Sequence, residues 1–197
     1  CSAFKRPLSA GVINRGPERQ HYRLKRSGTG NGERKVRRMM NTLVAYFSAT
    51  GVTAGVAARL ANAVGADLYE IVPKVPYKAE DLDWTKQDSR SSVEMNDSAS
   101  RPEIATTVDN MDRYKTVFIG FPIWWYTAPA IIRTFLEAYD LQGKTVVPFA
   151  TSGGSGMGRT NERLASSCAG ADLKEGKRFA ANTGEGELKD WAEQYIR

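Results

Sequence analysis

Three hydroxyl side chains lie close together in the segment SATGVT, which contains no charged residue. Ser48, Thr50 and Thr53 can each donate a hydrogen bond, and Gly51 lets the backbone approach a ligand or adopt positive φ. The segment lies between an apolar run and a helical pattern, where unpaired backbone N–H groups at a helix start favour an anion. No Lys or Arg occurs in residues 46–58. Such neutral donors suit a phosphate group that stays bound rather than one that is transferred.

The segment differs from two common nucleotide-binding motifs. A phosphate-transferring P-loop has the pattern GxxxxGK[ST], and SATGVT has neither the lysine nor the spacing. The dinucleotide fingerprint GxGxxG is also missing from it. That fingerprint is nearly matched at Gly154 and Gly156, but Arg159 stands where the last glycine is required. Neither motif therefore explains the segment.

Two further segments have the composition of ligand-binding loops. FPIWWYTAP, residues 121–129, contains two adjacent tryptophans and a tyrosine. Three such rings cannot all face one core, so we expect one tryptophan to pack inside and at least one ring to be exposed or to cover a ligand. TSGGSGMG, residues 151–158, is rich in glycine. It is either a flexible turn or a stretch of exposed backbone against a flat or polar partner.

Apolar runs of strand length alternate with segments of helical period from Asn41 onward. The runs TLVAYF, DLYEIV, TVFIGF, TVVPFA and the short KRFA are typical of strands. Helical spacing of apolar residues occurs in residues 56–64, 131–139 and 188–196. This alternation predicts an α/β fold with a mostly parallel sheet. Pro148 cannot donate a ladder hydrogen bond, so we expect it near the carboxyl end of its strand.

Two stretches lie outside this alternation. Residues 73–112 are polar and contain prolines, and we expect a crossover with one or two short helices there. Residues 1–40 hold 11 Lys+Arg and 2 Asp+Glu, whereas residues 41–197 hold 17 and 20. We therefore predict a basic disordered tail, residues 1–40, followed by one domain, residues 41–197. The tail could be sequence upstream of a start at Met39 or Met40, a disordered or tag-like arm, or an organelle presequence.

Charge and reactive side chains argue against several functions. The net charge of +6 comes from the tail, so nucleic acid is not an expected partner of the domain, although the tail itself could bind nucleic acid or an acidic membrane. The only histidine, His21, lies in the tail, which leaves the domain without a Ser/His/Asp triad or a His-based metal site. Cys168 is expected to be a small buried apolar residue. No run of about 18 apolar residues occurs, so no membrane span is predicted.

The three loops each follow a predicted strand. In an open doubly wound sheet, the connections after the carboxyl ends of neighbouring strands gather at one edge, and ligands bind where the strand order reverses. A phosphate cradle, aromatic rings and a glycine-lined wall would meet at that edge. Together they suit a flat, apolar ring system that carries one phosphate.

The segments LVAYFSATGVT, FPIWWYTAP and TSGGSGMG, in this order, resemble the flavodoxin-like proteins that bind FMN, in particular a short bacterial branch. The resemblance covers residues 42–196 and implies a doubly wound parallel sheet of five strands, order 2-1-3-4-5, with helices on both faces. It implies that the FMN phosphate is bound by Ser48, Thr50, Gly51, Val52 and Thr53. It implies that the flavin ring lies against Pro122, Ile123, Trp124, Trp125 and Tyr126, and against Thr151, Ser152, Gly153, Gly154, Ser155 and Gly156. The family usually has asparagine at the position of Val52, so a side-chain hydrogen bond that braces the loop is expected to be missing.

The resemblance implies an electron-transfer protein that shuttles electrons between redox partners through bound FMN. The first alternative is an FMN-dependent oxidoreductase that passes hydride from NAD(P)H to a quinone or a similar acceptor, because FPIWWYTAPAIIRTF and TSGGSG also resemble the quinone-reductase branch. Carriers commonly use a glycine peptide after the third strand to stabilise one-electron-reduced flavin, and residues 121–129 contain no glycine. The second alternative is a non-redox flavodoxin-like binding module.

The partners expected for the carrier are redox proteins that dock on an acidic surface, and for the oxidoreductase a small-molecule electron acceptor. Aromatic rings and uncompensated negative charge around the flavin would lower its potential, because they disfavour a further negative charge. We expect a cytoplasmic protein that is a monomer or a weak dimer and binds no metal ion.

Overall fold

The centre of the fold is a parallel β-sheet. The structure is a computed structural model that describes residues 41–196, so the predicted basic tail lies outside the described residues. The strands are β1 (Thr42–Tyr46), β2 (Asp67–Glu70), β3 (Thr116–Pro122), β4 (Thr145–Thr151), β5 (Asp172–Leu173) and β6 (Lys177–Phe179). Their order is β2-β1-β3-β4-β5, and β6 also pairs with β4. The predicted strand order is confirmed, with the fifth position shared by two short strands.

Helices cover both faces of the sheet. They are α1 (Val52–Val64), α2 (Arg90–Asn96), α3 (Ala130–Glu137), α4 (Thr160–Leu164) and α5 (Glu185–Ala192). Leu60 of α1 and Trp191 of α5 belong to the apolar cluster on one face. Ile131 and Phe135 of α3 belong to the cluster on the opposite face. The molecule is therefore the predicted three-layer α/β/α sandwich.

The three central strands are apolar on both sides. β1 is buried at every position, and β3 and β4 are buried at all but one. Leu43 of β1 faces the cluster beneath α3, whereas its neighbour Val44 faces the cluster beneath α1. Strands covered on both faces cannot afford polar alternation, which is why these runs read as continuously apolar in the sequence.

Pro148 lies in the middle of β4 and not, as expected, near its carboxyl end. On one side β4 pairs with β3 along its whole length. On the other side it pairs with β5 only at Thr145 and Val146, and with β6 only from Phe149 onward. The pairing therefore lapses at the residue that has no N–H to donate. This gap explains why the fifth position of the sheet is split into two strands.

The connection formed by residues 73–112, here called the insertion, contains α2 and two 3-10 turns, Glu80–Leu82 and Met111–Arg113. The expectation of one or two short helices is confirmed. Arg101 fixes the insertion to α3, because its guanidinium donates to both carboxylate oxygens of Glu137 at 2.6 and 2.9 Å. Among residues 41–196, no helix has the length and apolar character needed to cross a membrane.

A buried lysine ties the end of the insertion to the sheet. Lys144, which precedes β4, is only 8% exposed. Its ammonium group donates to the backbone carbonyls of Tyr114 at 2.9 Å, Met111 at 3.2 Å and Asp112 at 3.4 Å. A buried charge is tolerated only when its donors are satisfied, and three carbonyls meet that requirement here. Lys144 thereby fixes the segment that leads into β3.

Replacing Lys144 by Met should destabilise the domain, because the apolar stem is retained while three carbonyls lose a charged donor. We expect the free energy of unfolding to fall by about 2 kcal/mol in urea titrations, within the range for buried groups left unpaired. The control is Lys115→Met at a neighbouring exposed position, for which a change within about 0.5 kcal/mol is expected. Equal effects of the two substitutions would contradict a structural role for the buried ammonium group.

Candidate functional site

The loops that follow β1, β3 and β4 meet at the carboxyl edge of the sheet. These three strands are adjacent and parallel, so their carboxyl ends coincide. The hydroxyl of Thr53, after β1, lies 2.8 Å from the hydroxyl of Thr151, at the end of β4. The N–H of Ile123, after β3, donates to the carbonyl of Thr151 at 3.0 Å. One residue of β4 therefore joins all three loops.

The first loop, residues 48–53, is here called the phosphate loop. Helix α1 begins at Val52, within this loop, with Gly51 as N-cap at φ 85° and no side chain bonded to the cap. The first N–H groups of the helix are thus available to a ligand. Thr50 and Val52 are exposed, whereas Thr53 is 1% exposed. Thr53 therefore joins the loops from the interior and does not stand free for a ligand.

The hydroxyl of Ser48 is buried and has no hydrogen-bond partner within the part of the chain that the structure describes. A buried hydroxyl without a partner costs about 1–3 kcal/mol, so such groups usually mark a missing ligand or water. Ser48 lies in the phosphate loop, where an anion would supply the acceptor. This orphaned donor fits the phosphate predicted from the sequence.

The surroundings of the phosphate loop carry little positive charge. Arg59 is the first arginine after the loop, and its guanidinium is turned toward the segment before α5. It donates to the carbonyls of Ala181 at 2.5 Å and Thr183 at 3.1 Å. An anion at the phosphate loop would therefore be held by neutral hydroxyl and N–H donors, and its charge would not be balanced by this arginine.

The second loop, residues 121–129, is here called the aromatic loop. Trp124 is half-buried, whereas Trp125 is 41% and Tyr126 68% exposed. The ring of Trp124 meets Phe47 edge-on, with 5.6 Å between ring centroids. One tryptophan thus packs inside and two rings are left at the surface, as the composition of the segment predicted. Pro122 and Ile123, also predicted to face the ligand, are partly buried at the start of the loop.

The two exposed rings are carried by a tight turn. The backbones of Trp124 and Thr127 exchange two hydrogen bonds of 3.0 Å, and between them Trp125 and Tyr126 have φ of 46° and 61°. Positive φ at both central positions is typical of a type I′ turn, which usually contains Asn or Gly. The N–H of Arg159 holds the turn by donating to the carbonyl of Tyr126 at 3.0 Å. The conformation is therefore imposed by contacts and not by the preference of the two aromatic residues.

The third loop, residues 151–158, is here called the glycine loop. Ser152 closes it by donating to the carbonyl of Ser155. A side chain at Gly153, Gly154 or Gly156 would meet nothing within 4 Å of the described chain, and none of the three has positive φ. Neither packing nor backbone conformation thus explains these three glycines. Their bare backbone leaves open space that a flat ligand could fill.

Gly158 at the end of the glycine loop is different. It has φ of 53°, and a Cβ there would lie 2.2 Å from the carbonyl oxygen of Tyr126. Here the glycine is required by the close approach of the aromatic loop. Gly158 and Arg159 together form the junction between the two loops.

The three loops of this edge contain no Asp, Glu, His, Cys, Lys or Arg, and their chemistry is that of a binding site. The hydroxyl of Thr127 is a second buried group without a partner among the described residues. Cys168 lies in the apolar core beneath α3, and burial raises the pKa of its thiol to about 11. It is the buried apolar residue expected from the sequence, since a protonated thiol is a poor nucleophile. Across residues 41–196, no group of three or more His, Cys, Asp and Glu side chains could hold a metal ion.

One residue beside the site was not predicted from the sequence. Tyr77 of the insertion contacts Trp124 edge-on at 5.4 Å and Phe47 at 5.6 Å between ring centroids. A tyrosine in a polar, proline-bearing stretch was the only signal, and it says nothing about which loop the ring will touch. The contact depends on tertiary structure.

The comparison with family models matches residues 41–195 to Flavodoxin. A proposed flavoprotein from Bacteroides eggerthii DSM 20697 is 50% identical, with a TM-score of 0.75, covering 80% of this chain and 98% of its own. A second, from Bacteroides uniformis ATCC 8492, is 46% identical, with a TM-score of 0.74, covering 78% of this chain and 98% of its own.

A more distant solved structure is a flavoprotein from Lactobacillus acidophilus NCFM in complex with FMN. It is 21% identical, with a TM-score of 0.62, covering 78% of this chain and 99% of its own. At this identity the likeness concerns the fold.

A comparison with curated proteins gives no match. The family model covers most of the chain, and the strand order agrees with the fold that the sequence predicted. The chain therefore belongs to the flavodoxin family.

Proposed function

We propose that this chain is an FMN-binding electron-transfer protein. The observation that carries the proposal is the meeting of an uncharged phosphate loop, an exposed pair of aromatic rings and an open glycine loop at one edge of the sheet. Membership of the flavodoxin family supports FMN as the cofactor. The three loops provide what a flat ring with one phosphate requires, and they are joined to one another before any ligand arrives.

The phosphate loop would hold the FMN phosphate through neutral donors. Ser48 supplies a buried hydroxyl that has no partner in residues 41–196. Thr50, Gly51 and Val52 lie exposed at the start of α1 and offer backbone N–H groups and one further hydroxyl. Thr53 orders the loop by its bond to Thr151. The loss of asparagine at Val52 leaves these backbone contacts in place.

The aromatic and glycine loops would bind the flavin ring between them. The first set of residues proposed to lie against the ring is Pro122, Ile123, Trp124, Trp125 and Tyr126. The second set is Thr151, Ser152, Gly153, Gly154, Ser155 and Gly156. The exposed rings of Trp125 and Tyr126 can cover an apolar face and exclude water from it. The bare glycine backbone can approach the polar edge of the ring closely and donate hydrogen bonds to it.

FMN supplies reversible one-electron and two-electron chemistry when it is bound. The chain contributes the polarity and the charge of the surroundings of the FMN. Aromatic rings and a phosphate loop without cations disfavour any further negative charge on the ligand, because such charge would be poorly solvated. This environment favours a low reduction potential, which suits an electron donor to partner proteins or to a small acceptor.

A two-electron FMN-dependent oxidoreductase that uses NAD(P)H is the second candidate. Carriers of the family commonly have a glycine peptide in the aromatic loop, and here the two positive-φ positions are occupied by Trp125 and Tyr126. The turn is also held by Arg159. A turn fixed in this way is less free to rearrange between redox states, which favours hydride chemistry over single-electron chemistry.

The two candidates predict different behaviour during anaerobic photoreduction of the FMN-loaded protein. For the carrier we expect a persistent electron paramagnetic resonance signal at intermediate light dose, together with slow oxidation of NADPH when menadione is present. For the oxidoreductase we expect rapid steady-state oxidation of NADPH with menadione and no persistent signal. A colourless purified protein that takes up no added FMN would contradict both.

Substituting Ser48 by Ala should affect folding and binding in opposite ways. Loss of an unpaired buried hydroxyl should leave the free energy of unfolding of the FMN-free protein unchanged or raise it by up to about 1 kcal/mol. FMN affinity, measured by fluorescence titration, should fall by about 1–3 kcal/mol, the range for hydrogen bonds to charged groups.

The matched control is Ser91→Ala. The hydroxyl of Ser91 is likewise buried and without a partner in the described chain, but Ser91 lies on α2 of the insertion. It should change folding stability in the same direction and leave FMN affinity unchanged. Equal FMN affinities of the two variants would remove Ser48 from the phosphate site.

Substituting Gly158 by Ala should separate the aromatic loop from the glycine loop. The control is Gly143→Ala, which has φ of 71° but open space around its Cβ position. Both variants should lose about 1–2 kcal/mol of folding stability from left-handed backbone strain, and Gly158→Ala should lose more because its Cβ would overlap the carbonyl oxygen of Tyr126. Only Gly158→Ala should also weaken FMN binding, by about tenfold or 1.4 kcal/mol, because Tyr126 must move. Unchanged FMN affinity in this variant would show that the junction does not shape the site.

A further inference from the structure

The insertion reaches the candidate flavin site through the ring of Tyr77. Tyr77 is half-buried, and its ring lies edge-on to Trp124 at 5.4 Å, with an interplanar angle of 80°. It also packs against Phe47, the last residue before the phosphate loop, at 5.6 Å. Tyr77 therefore touches the aromatic loop and the residue leading into the phosphate loop at the same time.

The hydroxyl end of Tyr77 is fixed by an ion pair. It donates to a carboxylate oxygen of Glu94 at 2.5 Å, and the other oxygen accepts from Nε of Arg90 at 2.7 Å. The side chains of Arg90 and Glu94 are only 24% and 12% exposed. Burial and the bond to Glu94 raise the pKa of Tyr77, so its hydroxyl remains a donor at neutral pH.

Arg90 also contacts the face of the Tyr77 ring. Its guanidinium lies 4.0 Å from the centroid of the Tyr77 ring, a cation–π contact, and it donates to the carbonyl of Val75 at 2.7 Å. Arg90 and Glu94 are one helical turn apart on α2, which begins with Ser89 as N-cap accepting from the N–H of Ser92. Two residues of one short helix thus hold the tyrosine, Glu94 at its hydroxyl and Arg90 at the face of its ring.

Trp124 packs partly against the core cluster beneath α3, and the Tyr77 ring that contacts it also borders a cavity. A cavity of about 220 Å³ lies between the phosphate loop and the insertion, and its walls include Ser48, Pro76 and Tyr77. Loss of the Tyr77 ring would enlarge this cavity and remove one of the two aromatic rings that contact Trp124. The next two residues already occupy unfavourable positive-φ conformations. The orientation of the turn therefore depends on how Trp124 is held as well as on the bond from Arg159 to Tyr126.

We propose that Tyr77, fixed by Arg90 and Glu94, is a positioning residue for the flavin site that sets the orientation of the Trp124 ring and with it the aromatic loop. The proposal rests on the proposed function, since it takes the aromatic loop to bind the flavin. Control of the flavin environment would then come from the insertion as well as from the loops of the sheet. The three side chains are here called the Tyr77 clamp.

The first test needs no flavin. The full-length chain is labelled with 5-fluorotryptophan, and the ¹⁹F resonance of Trp124 is assigned by its loss in Trp124→Phe. In Tyr77→Leu the Trp124 resonance should shift and broaden, while that of Trp191, which packs in the opposite core cluster, should stay in place. An unmoved Trp124 resonance in a folded Tyr77→Leu protein would overturn the proposal.

The second test measures FMN binding and the visible circular dichroism of bound FMN. Tyr77→Leu should weaken binding by about tenfold and alter the flavin dichroism, whereas Tyr77→Phe, which retains the ring, should recover most of the affinity. The control is Tyr69→Phe. In the wild-type chain the hydroxyl of Tyr69 donates to the backbone carbonyl of Thr106 in the insertion at 2.7 Å. It should change neither quantity. A Tyr77→Leu protein with lowered melting temperature but unchanged affinity and dichroism would make the residue merely structural and refute the proposal.

The third test asks whether the clamp acts as a unit. Tyr77→Leu and Glu94→Leu each remove one member of the hydrogen-bonded pair, so their effects on FMN affinity should be non-additive in the double variant. Additive effects would contradict a shared role. If the wild-type chain binds no FMN, the proposed function fails, but the ¹⁹F result still decides whether Tyr77 orients Trp124.

Discussion

One buried contact joins the loops of the candidate site. Thr53 and Thr151 place their hydroxyls 2.8 Å apart, and the carbonyl of Thr151 accepts from Ile123 at 3.0 Å. The first residue follows β1, the second ends β4, and the third follows β3. Since these strands are adjacent and parallel, the contact can form only in this strand order. Loops separated by about a hundred residues along the chain thereby form one surface. The hydroxyl groups, aromatic rings and glycine backbone of the three loops lie together on it.

Some groups at this edge are satisfied within the protein, and others are buried without partners or held in unfavourable conformations. The hydroxyl of Thr53 is satisfied within the protein, whereas those of Ser48 and Thr127 are buried without partners in the described residues. Trp125 and Tyr126 hold left-handed backbone conformations that aromatic residues rarely adopt. Such costs persist only where the surrounding structure enforces them, and they are concentrated at functional sites. A ligand that supplied acceptors and covered the exposed rings would recover part of this free energy on binding.

Sequence patterns predict the sheet well because its signals are local. β1, β3 and β4 were predicted to within one residue at each end, since strands buried on both faces must be continuously apolar. The position of Pro148 was predicted wrongly because β4 continues through it and stays paired with β3. Only the pairing on the other side, with β5 and β6, is interrupted there. Which tryptophan would be buried could not be predicted either, because the choice depends on Tyr77, far away along the chain. The positive φ of Trp125 and Tyr126 contradicts their intrinsic preference and results from bonds to other segments.

The site therefore separates two requirements that a flavin protein must meet. Its phosphate loop and the start of α1 can supply affinity through donors built into the sheet and its first helix. In the proposed site, the environment of the ring would depend instead on the aromatic loop, which Arg159, Gly158 and Tyr77 contact from outside. Substitutions at these outer contacts can alter the ring environment while the phosphate contacts remain. A single fold can thus be adapted to one-electron or two-electron chemistry without rebuilding its binding edge.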